Sequence, residues 1–261
     1  MLIGRNETFP GDDYRHESRC LQRHKTARIV VPPGPPPPAG WPVCFLLHGF
    51  SGDRFSWLRH WSAFPAAQRA RALWVFPESG RKWFINDAAG NRYEDYLVTE
   101  LVPFVESTFP TQPASWWIGG FSMGGAAAVQ IALRHSRRFG STFAVAGAFY
   151  AAERTGDPYA AVRRDGCLMP TEAEHDRVWG PPGSAVRLQY HSDRLLGEAV
   201  GTEVRIVLEV GKGDYSRVVE QNRRFHQALL GNGIAHQYSE HEGDHGWSYA
   251  AAGALRCLAS L

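Results

Sequence analysis

Two kinds of apolar pattern take turns along this chain. Short continuous apolar runs alternate with longer stretches in which apolar residues recur every three to four positions. Ala27 to Val31, Leu73 to Phe76, Trp116 to Ile118, Thr142 to Phe149 and Val204 to Val210 read as strands, and Ala235 to Ser239 as a last one. Val43 to Leu47 is apolar at every position, as a strand covered on both faces requires. Between these runs, Tyr93 to Phe109 carries apolar residues at 97, 98, 101, 104, 105 and 109, a helical period. Pro103 should kink or restart that helix. Asp53 is placed to cap a helix through Trp57 and Trp61, and Gly125 to Leu133, Gln221 to Leu230 and Trp247 to Leu261 predict three more.

Strands alternating with helices define the α/β class, with a mostly parallel central sheet and helices on both faces. In such sheets the ligand site lies beyond the carboxyl ends of the strands. Gly34 to Pro42 (GPPPPAGWP) is read as a stiff connecting loop, because it cannot be a central strand. Residues 150–200 are richer in Gly, Pro and charge, with weak periodicity. They are expected to form a lid-like insertion over one end of the sheet, within a single domain spanning 1–261.

Composition narrows the function classes. With 44% hydrophobic and 12% aromatic residues, the chain can bury a large core. A net charge of +2 without a run of like charges argues against nucleic acid as a partner. The cysteines at 20, 44, 167 and 257 have no metal-ligand spacing and read as free thiols, buried at 44 and 257. Met1 to Arg28 lacks the apolar stretch of a secretory signal, and no segment reaches the roughly 18 apolar residues of a membrane span. The expectation is a cytoplasmic protein without a membrane partner, in which the Asn6-Glu7-Thr8 sequon carries no glycan. Nothing in the chain signals an oligomeric state.

The chemistry concentrates at Gly120-Phe121-Ser122-Met123-Gly124, a G-x-S-x-G pattern between a strand and an Ala-rich helix. Such a turn lifts a serine above the sheet, and the glycines relieve the crowding of strand against helix. A serine hydroxyl needs an adjacent base, itself oriented by a carboxylate. Both partners stand at strand ends in the order the pattern requires: Asp214 in Gly211-Lys212-Gly213-Asp214, and His245 in Glu242-Gly243-Asp244-His245-Gly246-Trp247. Asp193 and Asp244 are the rival acids. Of the other histidines, 16, 24, 60, 135 and 226 read as surface residues, while His175 and His191 remain possible substrate contacts. Oxyanion donors are expected from the backbone N–H groups of Met123 and Phe50, with His48 supporting the Phe50 loop. His241 to His245 also matches H-E-x-x-H, but that zinc signature needs a helix, and Gly243-Asp244 favours a turn. No metal and no cofactor are expected.

With these residues in place, the chain resembles the putative-esterase family of α/β-hydrolases, which includes tributyrin esterases, S-formylglutathione hydrolase, feruloyl esterases and mycolyltransferases. The likeness runs from about 43 to 250 through LLHGFSGD, KWFIND, RYEDYLVTELVPFVESTFP, IGGFSMGGAAAVQIALRH, RRFGSTFAVAGAF, VGKGDY and EGDHGW. It implies Ser122 as nucleophile, Asp214 as acid, His245 as base, and Phe50 and Met123 at the oxyanion hole. It further implies Trp83 and Asn86-Asp87 near the pocket mouth. Phe121 and Trp247 add aromatic surface for a substrate. The expected activity is a serine carboxylesterase acting on small-molecule esters, short-chain acyl or aryl, through an acyl-enzyme. An acyltransferase, or a thioesterase of the S-formylglutathione hydrolase kind, would use the same residues. A non-catalytic binding protein on the same fold is the alternative of another class.

Overall fold

In the computed structural model, the described residues (2–5, 9–63, 71–163 and 168–261) build one sheet of nine strands. These are β1 (Leu2–Arg5), β2 (Asp12–Ser18), β3 (Arg23–Val30), β4 (Trp41–Leu47), β5 (Leu73–Phe76), β6 (Thr111–Phe121), β7 (Ser141–Val145), β8 (Arg205–Gly211) and β9 (Gln237–His241). Their order across the sheet is β1-β2-β3-β5-β4-β6-β7-β8-β9. From β5 to β9 every pairing is parallel, and β1, β2 and β3 add an antiparallel edge.

Because side chains alternate across a strand, the continuous apolar runs feed two cores. Val43, Phe45 and Leu47 of β4 join one core, together with Ala144 of β7 and Leu208 of β8. Cys44 and Leu46 join the other, together with Phe143, Val145 and Val207. The first core is roofed by four helices. Helix α1 is α-helical over Tyr93–Asp95, widens to a π turn over Tyr96–Leu101 and returns to α over Val102–Thr108. Helix α2 is Met123–Arg134. After α3 (Glu172–Trp179) and α4 (Ala185–Gln189), α5 (Ser192–Ala199) and α6 (Ser216–Gly231) complete the layer. The second core is covered by α7 (Trp247–Ser260) and by Trp57 and Leu58. Layers on both faces of a mostly parallel sheet are the expected α/β class.

The π turn shows how Pro103 is tolerated. Val102 N–H donates to Leu97 C=O, five residues back, so the ladder is already displaced where proline has no N–H to offer.

Several elements differ from expectation. The polar segment before residue 28 forms β1, β2 and most of β3, because an antiparallel edge can face water on one side and needs no apolar run. The segment after Asp53 is a set of turns and a 3-10 helix (Leu58–Ala63), not an α-helix. Asp53 still accepts from Phe55 N–H at 2.9 Å and Ser56 Oγ at 3.1 Å. Strand β7 ends at Val145, and residues 146–149 leave the sheet. Residues 150–200 contain α3, α4 and all of α5, with α3 started by a Thr171/Glu174 capping box. Cys20, Cys44 and Cys257 are free, the last two buried. The side chain of Trp61, Cys167 and the sequon at Asn6 lie outside the described residues.

Candidate active site

The carboxyl ends of β4, β6, β7, β8 and β9 open on one side of the sheet, and each is followed by a residue of one cluster. Ser122 comes directly after β6 and before α2. Its backbone is at φ 55° and ψ −119°, in the left-handed half of the map, where a side chain is strained. Ser122 N–H donates to Val145 C=O at 2.9 Å, and Ser122 C=O accepts from Ala126 N–H and Ala148 N–H at 3.1 and 3.0 Å. The neighbouring glycines are needed for close approach: a Cβ on Gly124 would lie 2.4 Å from Leu47 O and 2.5 Å from His48 O. Helix α2 therefore sits directly against the end of β4.

Asp214 follows β8 and His245 follows β9. Their loops are joined, since Lys212 N–H donates to His241 C=O at 2.8 Å and Gly213 N–H to Gly243 C=O at 2.9 Å. The Asp214 side chain is fully buried. Its Oδ1 accepts from Tyr215 N–H at 2.6 Å, and its Oδ2 accepts from His245 Nδ1–H at 2.8 Å. A carboxylate only accepts, so Nδ1 carries the hydrogen and Nε2 keeps its lone pair. Ser122 Oγ lies 2.9 Å from Nε2 and donates to it. The His245 ring is flanked by Phe121, with centroids 4.7 Å apart, and by Tyr215 at 5.4 Å.

The loop after β4 runs beside the serine, where a Cβ on Gly49 would lie 3.7 Å from Ser122 Cβ. His48 is wholly buried and anchors this loop. Its Nδ1–H donates to Gly49 C=O at 2.7 Å, and its Nε2 accepts from Ser79 N–H at 3.0 Å. Burial holds its pKa down, from 6.5 to about 4. Phe50 and Met123 border the same cavity as Ser122 and His245, a space of about 510 Å³. That is within the usual range for small-molecule sites.

The substrate-contact expectations divide. Trp83 lines the cavity from a backbone at φ 57° and packs edge-on to Trp179. Asn86 does not line it: its Oδ1 accepts from Asp95 N–H at 3.2 Å, which fixes the start of α1. Asp87 is likewise occupied, accepting from Asn91 N–H and Asn91 Nδ2. Phe121 and Trp247 also lie outside the lining. They pack on each other behind His245, and Trp247 stacks on His60. Sequence reasoning missed Tyr215, Arg217 and Gln221, which enter from the first turns of α6. Their signal was proximity to Asp214 on a helix that begins five residues before its apolar pattern becomes clear. It also missed Arg154, Tyr159 and Met169, contributed by the 150–200 segment.

The H-E-x-x-H residues do not converge. His241 closes β9 with Nε2 3.8 Å from Glu209, Glu242 pairs with Lys212, and His245 is held by Asp214 and Ser122. Among the described residues Glu153, His191 and Asp193 bring possible ligand atoms within 4.8 Å of one another. Arg224 already holds Glu153 in a two-pronged ion pair at 2.6 and 2.7 Å, so that carboxylate is committed. Asp193, the rival acid, belongs to this surface group. Asp244, the other rival, accepts from Gly246 N–H at 3.0 Å. No helix among the described residues is long and apolar enough to cross a membrane.

A strained serine between strand and helix, with a histidine and a buried carboxylate from later strand ends, defines a serine hydrolase site on an α/β-hydrolase fold. The profile of the putative esterase family matches residues 18–253, and the chain belongs to that family. It is a carboxylic ester hydrolase. An acetyl esterase of Caldicellulosiruptor saccharolyticus is 25% identical over 217 residues, covering 78% of this chain and 77% of that protein. Among solved structures, the substrate-bound fluorophosphonate-binding serine hydrolase F of Staphylococcus aureus superposes with TM-score 0.79 at 20% identity, over 96% of this chain and 98% of that one. An S-formylglutathione hydrolase from Agrobacterium tumefaciens has the same TM-score and identity, over 99% and 97% of the two chains. These structural likenesses show the fold.

Proposed function

We propose that this esterase hydrolyses small esters of short-chain or aryl acids through an acyl-enzyme on Ser122. The observation that carries this reading is the continuous hydrogen-bond chain from Ser122 Oγ through His245 to buried Asp214, opening on the 510 Å³ cavity. His245 Nε2 takes the proton as Oγ attacks the ester carbonyl, and Asp214 steadies the imidazolium that forms. The N–H groups of Met123 and Phe50 are assigned to the developing oxyanion. Support comes from Met123 being the first residue of α2, where N–H groups have no intrahelical partner, and from the 48–50 loop lying against Ser122. The tetrahedral intermediate then collapses. The C–O bond to the alcohol breaks, and His245 returns its proton to the leaving oxygen. Water, deprotonated by the same histidine, attacks the acyl-serine, and the carboxylic acid leaves as Ser122 regains its hydrogen. The 150–200 segment is read as a lid-like wall of this pocket within one domain, since Ala151, Arg154, Tyr159, Met169 and His175 all border it.

The test is a panel of p-nitrophenyl esters from acetate to octanoate, assayed with the wild type and Ser122→Ala. Turnover should be highest for the short acyl chains and abolished by the substitution. Hydrolysis unchanged in Ser122→Ala would overturn the assignment.

A further inference from the structure

The charged groups around the cavity are of one sign. Arg154 and Arg217 line it, and among the described residues no aspartate or glutamate does. Among the described residues, surface arginines such as Arg224 and Arg223 are neutralised by a neighbouring acid, Glu153 and Glu240. Among the described residues Arg217 has no such partner, and makes no hydrogen bond or ion pair. Arg154 is buried, yet only partly satisfied. Its Nη2 donates to Pro170 C=O at 2.9 Å and its Nε to Gly156 C=O at a long 3.4 Å. Its nearest carboxylate, Asp157, stands 3.6 Å away and is gripped by Arg163 through both oxygens, at 3.0 and 2.7 Å.

A buried cation without a full partner is costly, and an anion entering the cavity would relieve that cost. Nearby His175 registers the same field. Burial first, and then the positive charges of Arg154, Arg187 and Arg217, hold its pKa down to about 3. Apart from Ser122, Gln221 and the two histidines, the rest of the lining is apolar or aromatic, Phe50, Trp83 and Met169 included. Among the described residues the Arg217 guanidinium on α6 has no acidic partner and Arg154 is half satisfied, so the two give the pocket polar lining of fixed sign.

We propose that the preferred substrates are esters that also carry a carboxylate, which Arg217 binds with help from Arg154 while the ester carbonyl sits at Ser122. Arg217 then sets specificity and takes no part in the bond-breaking steps. The inference rests on the esterase reading of Ser122, His245 and Asp214. The carboxylate can belong to the acyl half or to the alcohol half of the ester, and both present the same group to a guanidinium.

The experiment compares kcat/KM within two pairs. One pair is p-nitrophenyl glutarate and p-nitrophenyl pentanoate, with the charge on the acyl side. The other is 4-acetoxybenzoate and phenyl acetate, with the charge on the alcohol side. Each is measured for the wild type, Arg217→Gln and Arg217→Lys. Arg217→Gln should lower the anionic-to-neutral ratio roughly tenfold in one pair, which names the side, as loss of a charged hydrogen bond does. Arg217→Lys should restore part of it, and added salt should shrink the wild-type ratio. Ratios unchanged by Arg217→Gln in both pairs, with the esters still hydrolysed, would overturn the inference and leave the esterase intact. A wild type that hydrolyses none of the four esters would overturn the esterase reading itself, and the inference with it.

Discussion

Replacing His48 by glutamine should flatten the acid dependence of stability. The imidazole is wholly buried, donating through Nδ1 to Gly49 C=O and accepting through Nε2 from Ser79 N–H. A proton added at Nε2 would face the Ser79 N–H, so the folded protein resists it and the pKa falls from 6.5 to about 4, with burial the chief cause. In the unfolded chain the same group takes its proton near 6.5. As pH falls below 6.5 the unfolded state therefore binds a proton that the folded state does not, and stability drops by about 1.4 kcal/mol per pH unit. The loss runs until the folded group itself titrates near 4. Over that window it sums to about 3 kcal/mol, a large part of the 5–15 kcal/mol typical of a domain. Glutamine offers one donor and one acceptor but no proton to gain. The assay is reversible urea unfolding of the wild type and His48→Gln at half-unit steps from pH 7.5 to 4. The variant should be the less stable protein at neutral pH, and the gap should close by about 3 kcal/mol on acidification. Parallel curves would refute the reasoning, as would an NMR titration of His48 near 6.5 in the folded protein.

Two further outcomes follow from the site. Asp214→Asn should cut kcat by about 10⁴-fold at unchanged fold, judged by steady-state kinetics and circular dichroism. The Tyr215 N–H already holds Oδ1, so an asparagine would turn its NH₂ toward His245 Nδ1 and enforce the wrong tautomer. A loss under tenfold would count against Asp214 as the orienting acid. Gly124→Ala should destabilise the protein by about 1–3 kcal/mol in urea unfolding and lower kcat together with it. Its Cβ would meet the Leu47 and His48 carbonyls, which are backbone and can only move by displacing the Phe50 loop. A variant as stable and active as the wild type would show that this contact is not tight.

The parallel half of the sheet and the hydrogen-bonded set Ser122, His245 and Asp214 were legible because each leaves a local mark. Continuous apolar runs announce strands buried on both faces, the G-F-S-M-G turn marks the strand-to-helix corner, Asp214 stands where one such strand ends, and His245 follows the partly exposed edge strand β9. The antiparallel edge was not legible. Strand β2 (DDYRHES) is polar on its open face and is specified by pairing with β3 rather than by its own residues. The four misplaced or missed groups of contacts share one cause. Asn86 and Trp247 look like binding residues by type, yet Asn86 is engaged in capping α1 and Trp247 in packing on Trp57 and His60. Arg154 and Arg217 look like ordinary surface charges, and only the tertiary fold brings them to one cavity. Local sequence reports what a residue is, whereas its partners are fixed across the fold.

The most direct test is intact-mass analysis after incubation with a fluorophosphonate, followed by peptide mapping of the adduct. One phosphonyl group per chain, located on Ser122 and lost in Ser122→Ala, is the expected result. No adduct on the active, folded esterase, or an adduct on a different residue, would contradict a covalent mechanism at Ser122.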